Sequence, residues 1–149
     1  MTVDVRLAMP ADADSVAALV DAAYRDYIPR IGRRPAPMDA DYSALIERGQ
    51  LWVAVDDGYL LGILVLVPKP DHLLLENIAV APEAQGNGLG WLLLDVADEQ
   101  ASEQGLPEIR LYTNAAMTEN LAFYPRCGYV ETGRAEQDGF SRVFFSKPV

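Results

Sequence analysis

A single α/β domain, with a mixed and mostly antiparallel sheet flanked by helices, is the fold class this chain predicts, and three observations carry the prediction. Strand-like alternation and helical periodicity interleave along the whole chain, with no repeat, linker or low-complexity tract. Two apolar runs, Leu73 to Val80 and Ile109 to Thr113, are separated by a helix-sized step, which implies a central parallel pair joined by a right-handed crossover. Hairpin signals, Asp57-Gly58 first among them, imply antiparallel neighbours elsewhere. The 149 residues form one domain, 1–149, long enough to bury about 70% of the surface of the unfolded chain.

Val3 to Leu7 alternates and reads as a first strand. Pro10 opens a helix, with Asp12 and Asp14 near its positive end. Val16, Leu19, Val20, Ala23, Tyr24 and Tyr27 recur at helical spacing and give it an apolar face. Pro29 to Pro37 is irregular, and a second short helix covers about Asp39 to Arg48. Leu51 to Val55 and Tyr59 to Val67 are strands of one hairpin, and Pro68 to Asp71 turns into the Leu73 to Val80 strand. A helix follows from Leu89 to about Gln104. Leu89, Leu92, Leu93, Val96, Ala97 and Ala101 lie on one side, Asp95, Asp98, Glu99 and Glu103 on the other, and Gly105 and Pro107 stop it. After the Ile109 to Thr113 strand come a short helix, Thr118 to Arg126, and an antiparallel pair, Tyr129 to Thr132 and Arg142 to Ser146.

Bulk composition excludes several classes. Half the residues are hydrophobic and 23% are charged, as in folded globular chains. The formal net charge of −10 repels nucleic acid and anionic membrane. The single cysteine, Cys127, excludes an internal disulfide and fits a reducing compartment. No signal peptide is visible before Asp14, and the longest apolar stretch, Leu60 to Val67, is far short of the ~20 residues of a membrane span. A cytoplasmic protein is expected. His72, the only histidine, has no metal-spaced partner, and no metal site is expected.

The informative motif is Gln85-Gly86-Asn87-Gly88-Leu89-Gly90, set between a strand and a helix. That arrangement aims unpaired backbone amides and a positive helix end at an anion, and glycine lets the backbone approach closely or turn left-handed. A Walker A loop needs Lys-Ser/Thr where Leu89-Gly90-Trp91 stands. A dinucleotide fingerprint places its third glycine one residue later. The pattern Q/R-x-x-G-x-G/A is matched at every specified position. With Val80-Ala81-Pro82-Glu83 before it, and Asn120-Leu121-Ala122-Phe123-Tyr124 and Gly128-Tyr129 after it, the chain resembles the GNAT superfamily of acyl-CoA-dependent N-acetyltransferases from Val3 to Lys147.

The resemblance implies acetyl-CoA as acyl donor and a primary amine, on a small molecule or a peptide, as acceptor. It implies a diphosphate gripped by the backbone of Gln85, Gly86, Asn87, Gly88, Leu89 and Gly90. It also implies backbone contacts from Ile78, Ala79 and Val80 to the pantetheine arm, the amide near Ile78 meeting the thioester carbonyl. Tyr124 takes the general-acid position against the coenzyme sulfur, although Pro125 disfavours helical geometry just before it. Phe123 and Tyr124 also read as plain core aromatics. Asn120 either bonds the coenzyme or starts a helix, and Asn114 either contacts ligand or closes its strand. Trp91 and Leu92 read as core. Many proteins of the resembled family are homodimers, and the β-rich C-terminus offers a pairing edge.

Glu76 interrupts an apolar strand run, and burying a carboxylate is costly without a partner. It serves either as a general base for the amine or as a strand-end acid paired with an arginine. Arg30, Arg33 and Arg34 form the one dense basic cluster; they bind an acidic acceptor group, reach the 3′-phosphate of CoA, or pair with Asp26 and Asp39. A covalent acyl-cysteine at Cys127 would need a base the sequence does not show, so direct transfer in a ternary complex is expected. Two rivals remain: a non-catalytic acyl-CoA-binding module, and an interaction domain whose glycine loop serves packing alone.

Overall fold

The computed structural model describes residues 2–149; Met1 lies outside them. Seven strands hydrogen-bond in the order β1-β2-β3-β4-β5-β7-β6. They are β1 (Asp4–Leu7), β2 (Leu51–Asp56), β3 (Tyr59–Pro68), β4 (Leu73–Val80), β5 (Glu108–Asn114), β6 (Val130–Gln137) and β7 (Phe140–Pro148). β4 runs parallel to β5, while β1–β2, β2–β3, β5–β7 and β6–β7 are antiparallel. The helices are α1 (Ala13–Tyr24), α2 (Ile28–Ile31), α3 (Tyr42–Glu47), α4 (Leu89–Glu103) and α5 (Thr118–Arg126). This is the expected mixed α/β sheet with one parallel pair.

The chain forms two compact units. The first holds residues up to Leu66 together with Asn77–Asp95. Its core is built from Val16, Leu19 and Val20 of α1, Leu45 and Ile46 of α3, and Leu51, Val53, Ile63 and Leu64 of β2 and β3. Each such burial contributes about 1.5–3 kcal/mol before conformational entropy opposes it. Gly62 is required by close packing: a Cβ there would stand 3.2 Å from the Ala79 carbonyl oxygen and 3.2 Å from Leu93 Cδ1. A ladder of polar bonds crosses this core. The Tyr24 hydroxyl donates to Asn77 Oδ1 (2.6 Å) and to the Ile78 carbonyl (3.2 Å). Asn77 Nδ2 donates to the Tyr42 hydroxyl (3.1 Å), which donates onward to the Pro37 carbonyl.

The second unit holds Val67–Glu76 and Val96–Val149. Leu73, Leu75, Ile109, Leu111, Val143 and Phe145 fill its core beside Ala97 and Ala101. α5 ends in a left-handed glycine cap. The Tyr129 amide bonds the Tyr124 carbonyl (3.1 Å), the Gly128 amide bonds the Pro125 carbonyl (3.1 Å), and Gly128 sits at φ +94°. At the tip of the last hairpin Asp138 (φ +55°) and Gly139 (φ +82°) form the two-residue turn that suits twisted strands.

Four local expectations change. The Pro10 segment is a 3-10 turn, Pro10–Asp12, because Asp12 bonds the Met9 amide (2.7 Å) and Arg6 (2.8 Å) before α1 proper begins. The segment read as irregular contains α2, closed by Gly32 at φ +88°. The second helix starts at Tyr42 because the Asp41 side chain caps it by accepting from the Ala44 amide (3.1 Å). On α4 the buried positions are Leu89, Leu93, Leu94, Ala97 and Ala101, while Leu92 and Val96 are half-buried.

Candidate functional site

In the first unit, the strand, loop and helix of the glycine motif form as the sequence predicts. Gly86 (φ +83°) and Gly88 (φ +79°) are left-handed, and a Cβ on either would meet nothing within 4 Å. These glycines are demanded by backbone conformation, and the space before them is open. Gln85 Nε2 donates to the Val80 carbonyl (3.3 Å) and Asn87 Nδ2 to the Ala84 carbonyl (3.3 Å). Those two side chains brace the loop from within. The Leu92 amide bonds the Gly88 carbonyl at 3.1 Å. The amides of Gly88, Leu89 and Gly90 therefore stand ahead of the helical ladder, at its positive end. No carboxylate lies between Gln85 and Trp91, so the donor set fits a diphosphate. Trp91, expected in the core, is 50% exposed.

β4 alternates strictly: Leu73, Leu75, Asn77 and Ala79 are buried, Leu74, Glu76, Ile78 and Val80 half-buried. Its registered pairing with β5 ends at Leu75. The carbonyl of Ile78 is already engaged by Tyr24, which fixes the strand where a thioester was expected to lie. Asn77, which the sequence reading passed over, is the residue that orients Tyr24. It was detectable: it takes the buried parity of β4, where an unpaired amide would be costly.

In the second unit, Glu76 makes no ion pair among the described residues, so the arginine-paired alternative is not found. Tyr124 is 4% exposed. Its ring lies 5.5 Å from Phe123, 5.7 Å from Tyr129 and 5.7 Å from Phe145. Burial, then neighbouring Cys127, pushes its phenol well above the ordinary tyrosine range. Pro125 lies inside α5 one residue from its end, so the helix does extend through Tyr124. Asn120 is used internally, Nδ2 donating to Thr113 Oγ1 (3.0 Å), and Asn114 Oδ1 accepts from the Ala116 amide (2.9 Å), closing β5. Cys127 is buried. An open groove of about 400 Å³ lined by Glu108, Arg110, Thr132 and Ser146, among others, touches none of the expected site residues.

The basic cluster divides. Arg34 pairs with Asp39 (3.0 Å), and Arg30 stacks over Tyr27 with its guanidinium carbon 4.8 Å from the ring centre. His72, the only histidine, bonds Asp71 at 2.7 Å and keeps 16% of its side chain exposed.

Known proteins share the family and the fold. Residues 16–129 match the profile of the family described as Acetyltransferase (GNAT) family. The peptidyl-lysine N-acetyltransferase YjaB of Salmonella typhimurium is 25% identical over 149 residues, covering 97% of this chain and 94% of that protein. N-acetyltransferase family 8 member 3 of Rattus norvegicus is 32% identical over 88 residues, 55% of this chain and 39% of its own length. The chain spans about half the length of such curated relatives. The PaiA N-acetyltransferase of Thermoplasma acidophilum, solved in complex with coenzyme A, superposes with a TM-score of 0.83 over 100% of both chains at 18% identity, a likeness of fold.

Proposed function

The chain belongs to the Acetyltransferase (GNAT) family, and we propose that it transfers acetyl from acetyl-CoA to a primary amine of a small molecule or peptide, directly in a ternary complex. The observation that carries this reading is the glycine loop at the start of α4, with its left-handed Gly86 and Gly88 and its amides ahead of the helical ladder. Acetyl-CoA supplies the activated acyl group as a thioester. The amides of Asn87, Gly88, Leu89 and Gly90 bind the diphosphate, and the backbone of Ile78, Ala79 and Val80 orients the pantetheine arm. Glu76, half-buried and without an ion pair among the described residues, accepts a proton from the ammonium. Tyr124 holds its hydroxyl proton at neutral pH and is the proton donor to the departing thiolate. A thiolate is a weaker base than a buried phenolate, so the proton moves only as the thioester bond breaks and the amine proton replaces it. Cys127 is buried, which favours direct transfer over an acyl-cysteine.

The single reduced cysteine also favours the cytoplasm as the working compartment. Among the described residues, no helix is long and apolar enough to cross a membrane.

Titration with CoA by calorimetry, followed by a screen of amines for released CoA thiol, tests the proposal. Saturable binding and release with at least one amine are expected. Glu76→Gln is expected to slow turnover by about a hundredfold or more while leaving coenzyme affinity intact. Binding without release from any amine would leave a coenzyme-binding module; absent binding would overturn both readings.

A further inference from the structure

Arg142 on β7 is held by aromatic rings and an amide rather than by a carboxylate among the described residues. Five other arginines form ion pairs: Arg6 with Asp12 (2.8 Å), Arg25 with Asp21 (2.9 Å), Arg34 with Asp39 (3.0 Å), Arg134 with Glu131 (3.0 Å), and Arg110 with Glu108. Arg142 makes no ion pair among the described residues. Its guanidinium carbon lies 4.4 Å from the centre of the Tyr112 ring and 5.7 Å from that of Phe140. Its Nη1 donates to the neutral Gln137 Oε1 at 3.1 Å. Two rings and an amide thus fix the guanidinium plane while leaving most of its N–H fork unspent, which is how a carboxylate or phosphate clamp is pre-organised.

Strand register places this clamp beside Glu76. Leu75 pairs with Leu111, so Glu76 and Tyr112 follow at the next position of each parallel strand. Tyr112 pairs with Phe144, their rings 6.1 Å apart, and Arg142 pairs with Asn114 two residues along. Glu76, Tyr112, Phe144 and Arg142 are all half-buried and share one face of three neighbouring strands. Tyr112 feels the charges on this face: burial raises its phenol, Arg142 lowers it, and Glu76 and Asp138 raise it.

We propose that this face of β4, β5 and β7 is an acceptor subsite that selects amines also bearing an anionic group, with Arg142 clamping the anion, Glu76 facing the ammonium, and Tyr112 and Phe144 forming the wall. The inference rests on the transferase reading above and narrows its substrate class to amino acids and phosphorylated amines. In a chain of net charge −10, the anionic group of such a ligand meets an unfavourable field, so a local cation is what would recognise it.

The experiment compares matched amines with and without the anion: β-alanine against ethylamine for carboxylate, and phosphoethanolamine against ethanolamine for phosphate. Wild-type kcat/KM is expected to favour the anionic member of at least one pair by roughly tenfold or more, the size of one charge-assisted fork. Arg142→Gln is expected to bring that ratio toward one through KM, with coenzyme affinity retained, and Arg142→Lys to keep part of it because a point charge lacks the fork. Which pair shows the preference tells carboxylate from phosphate. Equal rates within both pairs, or an equal loss on both members in a folded Arg142→Gln, as a hairpin staple would give, overturns the inference and leaves the transferase reading standing. If the coenzyme binds but no amine turns over, calorimetry of the same anionic amines decides alone: binding lost in Arg142→Gln supports the clamp, and equal or absent binding sinks it.

Discussion

Tyr124 is sealed among Phe123, Tyr129 and Phe145, and its carbonyl accepts from both Cys127 and Tyr129 where α5 ends. The motif that made it a general-acid candidate is therefore also a helix-stop motif: the spacing Tyr-x-x-x-Gly-Tyr suits a glycine-capped helix end with an edge-to-face aromatic pair. A Tyr124→Phe variant separates the two uses. The ring and its packing remain, so the melting temperature should move little, while kcat should fall at least about tenfold with unchanged coenzyme affinity if the hydroxyl gives up a proton in the reaction. Unchanged kcat would leave Tyr124 a core aromatic. At this scale the sequence exposed charge more readily than parity. Glu76 stood out in an apolar run, while its neighbour Asn77, the more deeply buried polar group, was overlooked. Asx and threonine contacts such as Asn120 to Thr113 depend on which strand lies beneath a helix, and spacing along the chain does not contain that.

β4 and α5 have the limits their sequences predict, because an unbroken apolar alternation and a Gly128 stop leave little choice. The segment from Arg25 to Asp41 was less legible. Its short turns are fixed by single caps and a left-handed Gly32 rather than by any apolar period, so periodicity is silent there. The last hairpin runs further than expected because β6 is exposed along nearly its whole length and thus lacks the apolar alternation that marks a strand. The glycine loop yields a prediction at the same scale. Gly88→Ala introduces a Cβ into open space but into a left-handed backbone, at a cost of about 1–2 kcal/mol. Coenzyme affinity should therefore fall, while a neighbouring substitution at the exposed Trp91 leaves the loop backbone unstrained. Equal CoA affinity in Gly88→Ala, read by calorimetry, would remove the loop conformation from binding.

Across the whole molecule, acid should act through a few exposed or half-buried pairs. Hydrogen bonds from Arg6, His72 and Arg134 hold the Asp12, Asp71 and Glu131 carboxyls below their ordinary values. Because these folded-state values are depressed, the unfolded chain takes up protons first. Their contribution is present above the unfolded value, about 4, and is lost as pH falls through the folded ones. The urea midpoint should hold or rise slightly from pH 7 to 5, as the net charge of −10 is relieved, and then fall below about pH 4. A midpoint that kept rising to pH 3 would show that these pairs are not formed. Cys127 is the only thiol in the chain, and it is shut inside. A colorimetric sulfhydryl reagent added to the native protein consequently counts product molecules against a silent background, and the first rise in that background marks the moment the C-terminal helix end comes open.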